Sequence, residues 1–362
     1  MGKKRKKKLF KKLKYLIAVF TLVCAAFVGY QLLMPTKDDT AEVEVQIPEG
    51  TTFREAISIL AKGDLIRNET LFLVIGRVTG IDKRIRAGFY VFSGKVTPLD
   101  VLLKLRLGKV LEYEVTVVEG DSLLEIGKKL ADANLMLPET FKELSSSKTF
   151  LDDLEIEGRS LEGYLYPQTY RFSKGTKPKT VLKIMVQKLR EELTEELEDR
   201  AEQIGWAENE VLTLASIIEK EAVVDSERAI ISAVYHNRLK KGMPLQADPT
   251  SIYGIKSSRQ KITRDDLRRQ TEYNTYVIKG LPPGPIASPG IKSIKAALYP
   301  AKAPYIYFVA KNDRSHYFST TLAEHNAAVA RVRAGQQLKQ ELPEIAAAEE
   351  PKSNGKENGK EK

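Results

Sequence analysis

Apolar and polar positions change rhythm several times along this 362-residue chain, and each change predicts an element. Residues 15–36 form an uncharged, mostly apolar run. A helix needs about 20 such residues to cross a hydrocarbon layer of about 30 Å, so the run predicts a transmembrane anchor behind a basic segment, residues 1–14. Beyond it the pattern repeats. "VQIPEGTTFREAISILAKGDLI" (45–66) aligns without a gap onto "VTVVEGDSLLEIGKKLADANLM" (115–136), pairing Glu49 with Glu119, Gly50 with Gly120, Glu55 with Glu125 and Leu60 with Leu130. Each copy predicts a strand, a glycine turn and an amphipathic helix capped by Thr51 or Asp121. A second pairing matches Tyr90 with Tyr170 and Phe92 with Phe172, so two small α+β units fill residues 43–190. Such units serve as binding modules or as spacers, and the pattern favours neither.

The stretch "KIMVQKLREELTEELEDRAEQIGW" predicts one charged, solvent-facing helix, and the short polar segment after the anchor predicts a stalk. A further α+β domain spans 191–341. It starts with helical patterns through about Leu239 and continues through loops rich in Pro, Gly and Tyr. A helix "IKSIKAALYP", strands "YIYFVA" and "HYFST" and a helix "TLAEHNAAVARVRAG" complete it. Residues 342–362, charged and free of aromatics, predict a disordered tail.

Charge narrows the picture. The net charge is +10, but nine lysines and arginines lie within the first fourteen residues, leaving the rest near neutral. Nucleic acid is therefore not implied as a partner; anionic lipid headgroups explain the basic cluster. The positive flank puts the N-terminus in the cytoplasm and the rest outside the cytoplasmic membrane, as a single-pass protein. A cleaved signal peptide is disfavoured by the length of the run and the lack of a small-x-small site, and lipid attachment at Cys24 by the preceding Val23. Cys24 is the only cysteine, so the exported part has no disulfide and no thiol nucleophile. His236, His316 and His325 show no metal-ligand spacing, and neither metal nor cofactor is expected.

The stretch "LASIIEKEAVVDSER" (214–228) holds two acids one residue apart. At about 100° per residue, Leu214, Ile217, Ile218 and Ala222 make one stripe, and Glu221 falls inside it. Glu219 and Lys220 fall to either side, where a charged side chain can reach water. A carboxyl on the buried face must find a partner or stay protonated, which suits a general acid near neutral pH. The plainer alternative pairs Glu221 with Arg228 or Arg238. Ser226 is expected to cap the next helix, "SERAIISAVYHNRL", which would leave Glu221 at a helix end where a cleft can open. Downstream loops carry Gln246, Asp248, Thr250, Tyr253, Tyr273, Asn274, Thr275 and Tyr276, whose amides, hydroxyls, carboxylate and rings suit sugar recognition. "GLPPGPIASPG" reads as a rigid cleft wall.

Together, "ASIIEKEA", "SER", "NRL", "GMPLQADPTSIYG", "YNTY", "GLPPGPIASPG", "ALYPAKAPYIYFVA", "HYFST" and "HN", with the upstream "EGYLYPQTYRF", closely resemble the endolytic murein transglycosylase (YceG-like) family. The resemblance runs from the anchor to about residue 335. It implies an α+β protein with a transmembrane helix, tandem LysM-like units and a catalytic domain at 191–341 distantly similar to lysozyme-type transglycosylases. In those enzymes one helical glutamate followed by a small residue does the chemistry, and the matching position is Glu221. Where the family pattern suggests Thr next, this chain has Ala222, without the hydroxyl.

The resemblance further implies cleavage of the β-1,4 bond between N-acetylmuramic acid and N-acetylglucosamine in nascent glycan strands, giving 1,6-anhydro ends, with peptidoglycan synthases as further partners. A muramidase using Asp248 as second carboxylate, a non-catalytic peptidoglycan-binding scaffold, and Glu219 as the acid under a shifted helix register are the competing expectations.

Overall fold

The computed structural model describes residues 2–37, 42–255, 260–336, 340 and 342. The tail expected over 342–362 lies almost wholly outside the described residues. The fold is α+β, in two compact units: residues 1–113 with 171–176, and residues 114–170 with 177–362.

The first unit opens with α1 (Gly2–Leu33), whose Lys8–Leu33 segment is long and apolar enough to cross a membrane. Residues 38–41 of the expected stalk are not described, but the chain just before them is tied down. Arg67 donates to the carbonyl of Met34 (2.7 Å) and to that of Pro35, and the Thr36 N–H donates to Val96 (2.9 Å). There follow β1 (Val43–Ile47), α2 (Phe53–Lys62), α3 (Glu69–Thr79), β2 (Gly88–Phe92) and α4 (Pro98–Leu107). β1 and β2 pair antiparallel from Val43↔Phe92 to Ile47↔Gly88. Their alternate residues Val45, Ile47, Tyr90 and Phe92 bury against Ile57 and Leu60 of α2 and Val101 and Leu105 of α4.

The same order recurs in the second copy: β3 (Glu112–Thr116), α5 (Leu123–Asp132), α6 (Pro138–Ser145), α7 (Lys148–Asp153), β4 (Thr169–Ser173) and α8 (Pro178–Glu192), with β3 and β4 paired. The caps fall one residue later than expected. Thr52 and Ser122, not Thr51 and Asp121, precede the helices, because Glu55 and Glu125 three residues on reach back to their backbone N–H groups at 2.8 and 2.9 Å. Such reciprocal caps are worth about 1 kcal/mol each. Asp121 instead accepts the Val118 N–H (2.8 Å) and pairs with Lys129.

The predicted single charged helix is two. α8 ends at Glu192, and α9 (Glu195–Ile204) starts after Thr194. Nor is α8 solvent-facing all round, since Val181, Leu182, Met185, Val186 and Leu189 are buried. The remainder comprises α10 (Glu208–Glu221), α11 (Arg228–Lys240), α12 (Asp248–Ile252), α13 (Arg264–Arg268), α14 (Ile291–Leu298), the hairpin β5 (Tyr307–Ala310) and β6 (His316–Ser319), and α15 (Leu322–Arg333). α10 is the central helix: every residue from Val211 to Ile218 is buried, and it packs against α11, α12 and α14.

Candidate active site

Glu221 is the last residue of α10, and Ala222 turns the chain into extended conformation. The helix stops there because residues 225–227 form a short 3-10 turn, and α11 begins only at Arg228. Ser226 therefore does not cap α11; Glu227 stands at the cap position, and its carboxylate takes the His316 N–H at 2.9 Å.

The two acids of "EKEA" part company. Glu219 is not solvated: its side chain keeps only 6% exposure, accepting Arg228 Nη1 at 3.0 Å and the Gly290 N–H at 3.0 Å. Arg228 is thus Glu219's partner. Arg238, the other guanidinium considered for Glu221, turns to the carbonyls of Ile306 and Leu245, both at 2.7 Å. Glu221 is half-buried and receives the backbone N–H of Asp248. Burial raises its pKa to about 8, the Asp248 carboxylate adds to the rise, and that N–H offsets part of it. The ion pair ties Glu219 into a structural role, while Glu221 is left neutral near pH 7, able to donate a proton.

The predicted binding residues divide into two groups. Gln246, Asp248, Tyr253, Tyr273 and Tyr276 retain exposed surface. Asp248 heads α12, and its carboxylate accepts the Tyr276 hydroxyl at 2.5 Å. Gln246 adopts a left-handed conformation (φ 51°) and takes the Thr275 carbonyl on its N–H at 3.0 Å. The Tyr253 and Tyr273 rings pack 4.6 Å apart.

Thr250, Asn274 and Thr275, also expected to touch sugar, are fully buried. The Thr250 and Thr275 hydroxyls meet at 2.8 Å, and Thr275 Oγ1 accepts the Ala247 N–H at 2.9 Å. Asn274 Nδ2 donates to the carbonyl of Arg269 at 2.8 Å, while its Oδ1 accepts the Tyr276 N–H at 3.1 Å. With every polar atom committed inside, these three shape the loops that present Asp248 and Tyr276.

The proline-rich wall is fastened along α10. Asn209 Nδ2 donates to Pro283 (3.2 Å), the Ile286 N–H donates to Ser216 Oγ (3.0 Å), and the Gly290 N–H reaches Glu219. The wall also meets the second glycine turn: Gly120 N–H donates to the Ser288 carbonyl and Ser288 N–H to the Asp121 carbonyl, both at 2.8 Å. Lys220 Nζ closes this corner on the Gly120 carbonyl at 3.1 Å. Residues 114–170 and 177–190, most of the second α+β copy, thus fall in the same compact unit as Glu221.

Sequence reasoning missed Glu162 and Tyr235. Glu162 is 2% exposed and accepts Tyr253 Oη at 2.8 Å and the Leu123 N–H at 3.0 Å. Its only signal was its place in "EGYLYPQTYRF". Tyr235 on α11 is buried, its hydroxyl has no hydrogen-bond partner among the described residues, and burial and the charges of Glu221 and Asp248 push its pKa far up. The apolar periodicity of α11 hid it among core positions.

The chain is 35% identical over 318 residues to an endolytic murein transglycosylase of Bacillus subtilis (strain 168), covering 83% of this chain and 88% of that protein. It is 28% identical over 353 residues to an endolytic murein transglycosylase of Streptococcus pneumoniae serotype 2, covering 87% of this chain and 64% of that longer protein. The crystal structure of a YceG-like protein from Listeria monocytogenes superposes with a TM-score of 0.56 at 32% identity, covering 79% of this chain and 98% of that one. The sequence profile of the YceG-like family matches residues 45–331. Profile, relatives and fold agree, and the chain belongs to the YceG-like family.

Proposed function

We propose that this protein is a membrane-anchored endolytic lytic transglycosylase of peptidoglycan, with Glu221 as its single catalytic acid and base. The observation that carries the reading is the partly desolvated Glu221 carboxyl at the end of α10, in no ion pair among the described residues, beside a glutamate that is ion-paired. Protonated Glu221 donates to the β-1,4 oxygen between N-acetylmuramic acid and N-acetylglucosamine, and the bond to muramoyl C1 breaks. The resulting carboxylate takes the proton of the muramoyl C6 hydroxyl, whose oxygen closes on C1. Atoms balance without water: one glycosidic bond is exchanged for a 1,6-anhydro bridge, and Glu221 regains its proton. The substrate's N-acetyl oxygen stabilises the oxocarbenium-like state in place of a second carboxylate.

Asp248 and Gln246 sit where hydroxyl and amide groups of the strand would be held, and Tyr253, Tyr273 and Tyr276 offer ring faces to sugars. The two α+β copies act as LysM-like units that align the glycan, and the catalytic fold is a distant relative of lysozyme. With α1 in the cytoplasmic membrane and its basic end inside, the site works on nascent strands close to the outer surface, beside the synthases that make them.

Asp248 next to Glu221 supports a second reading, hydrolysis with Asp248 activating water. Mass spectrometry of products from uncrosslinked, lipid-linked strands separates the two. Anhydromuramoyl ends that vanish in Glu221→Gln are the expected result. Reducing ends would make the protein a hydrolase, and strand binding without cleavage would leave a scaffold.

A further inference from the structure

Glu162 plays no part in the proton transfers above, yet it is a nearly inaccessible carboxyl in the unit that carries them. It lies between α7 and β4, and its two oxygens join two other elements. Oε2 accepts the Tyr253 hydroxyl (2.8 Å) at the end of α12, and the Leu123 N–H at the first turn of α5 is shared between Oε1 (3.0 Å) and Oε2 (3.2 Å). Tyr253 in turn packs on Tyr273. α5 follows directly on the Gly120 turn that Lys220, the neighbour of Glu221, holds by its carbonyl.

We infer that Glu162, in its ionised form, is a positioning residue that fixes the Tyr253–Tyr273 edge of the cleft against the start of α5. The argument is one of donors and acceptors. Tyr253 and Leu123 each offer a proton, so a carboxylate, which only accepts, satisfies both. Protonation adds a donor where both partners already donate, so the neutral carboxyl keeps the two bonds only through its remaining carbonyl oxygen and without the charge that strengthens them. Bonds to the charged form are also the stronger ones. A pure packing role would be served better by an apolar side chain, because an ionised group buried there costs desolvation energy.

The groups facing it set where it titrates. Burial is the largest influence and raises its pKa to about 7; Tyr253 and the Leu123 N–H pull down, Glu125 on α5 pushes up, and Lys220 on α10 pulls down. Tyr273 is the other titratable group on this edge, and burial raises its pKa. The cleft edge is therefore held firmly above about pH 7 and loosened below it, while Glu221 needs to stay protonated, below about 8. The two conditions overlap in a narrow window.

This rests on the proposed lytic activity, so the test reads binding and turnover separately. The full-length protein in nanodiscs is assayed on uncrosslinked glycan strands across pH, as wild type, Glu162→Gln, Tyr253→Phe and the double variant. Glutamine stands for the permanently neutral carboxyl. The wild-type kcat/KM is expected to rise through about pH 7 and fall above about 8. Glu162→Gln should lose the rise but keep the fall, lying about tenfold below wild type near the optimum, as expected when a charge-assisted hydrogen bond is lost. Tyr253→Phe should show the same loss, and the double variant no more than either single.

Strand affinity measured in a Glu221→Gln background, with and without Glu162→Gln, gives the same readout without cleavage. It should differ severalfold above the Glu162 pKa and converge below it. A Glu162→Gln profile parallel to wild type, losses that multiply in the double variant, or affinities that do not depend on Glu162 at any pH would overturn the inference. If wild type binds but does not cleave while the affinities follow the expected course, the activity fails and the positioning role stands.

Discussion

The two glycine turns that the sequence repeats, Glu49–Gly50 and Glu119–Gly120, have the same backbone and different surroundings. Both glycines are left-handed, with φ of 78° and 82°. Among the described residues nothing approaches within 4 Å of a Cβ at Gly50, and its turn borders an open groove lined by Glu49, Thr51, Glu55, Ser58 and Lys62. A Cβ at Gly120 would meet the Lys220 side chain at 3.6 Å, and the backbone of that residue is bonded to Ser288 and Lys220. Among the described residues the first turn stays open, whereas the second is bonded into the unit that carries Glu221. Internal repetition thus records a shared fold, and function has to be read from what each copy touches.

The largest effect is expected at Glu221, in the unit that holds the second turn. Glu221→Gln should lower kcat by about 10²–10⁴-fold or more, the range assigned to general acid–base groups, with strand binding retained. The same substitution should stabilise the fold at alkaline pH. A carboxyl whose folded pKa lies above its unfolded value leaves stability untouched at low pH, and costs increasingly as pH rises from its ordinary value of 4.5 to about 8. Chemical denaturation at pH 8 should find Glu221→Gln more stable than wild type by up to a few kcal/mol, with the difference gone near pH 4.

The glycines themselves give the next effect. Gly120→Ala and Gly50→Ala each force a side chain into the left-handed region, at about 1–2 kcal/mol. Only Gly120→Ala should also lower kcat, because its strain falls on the Ser288 and Lys220 contacts. Equal losses of activity in the two variants would erase the distinction. Lys220→Met, which removes the bond to the Gly120 carbonyl, should be the mildest, at about 1 kcal/mol by thermal melting, with a modest loss of turnover.

How much of this was legible beforehand depends on the range of the interactions. The apolar N-terminal helix, the repeat, β5, β6 and α14 follow from local periodicity, and the structure places them where the pattern does; Glu221, expected on the buried face of its helix, is half-buried. The caps slipped by one residue because Glu55 and Glu125 select Thr52 and Ser122, a choice made by side-chain reach rather than by the cap residue alone. The role of Glu219 was misread because its partners, Arg228 and Gly290, come from other elements. Thr250, Asn274 and Thr275 looked like ligands for the same reason: polar residues in loops serve either solvent or the loop's own backbone, and only the fold tells which. Glu162 escaped because its donors lie 39 and 91 residues away.

The central claim is that Glu221 works alone, passing one proton out and taking one back while the substrate closes on itself. Digestion of lipid-linked strands in water enriched in heavy oxygen tests it directly. The account predicts anhydromuramoyl ends carrying no label, formed by wild type and absent with Glu221→Gln. Labelled reducing ends formed by wild type, and lost when Asp248 is replaced by Asn, would contradict it and place the chemistry on a pair of carboxylates.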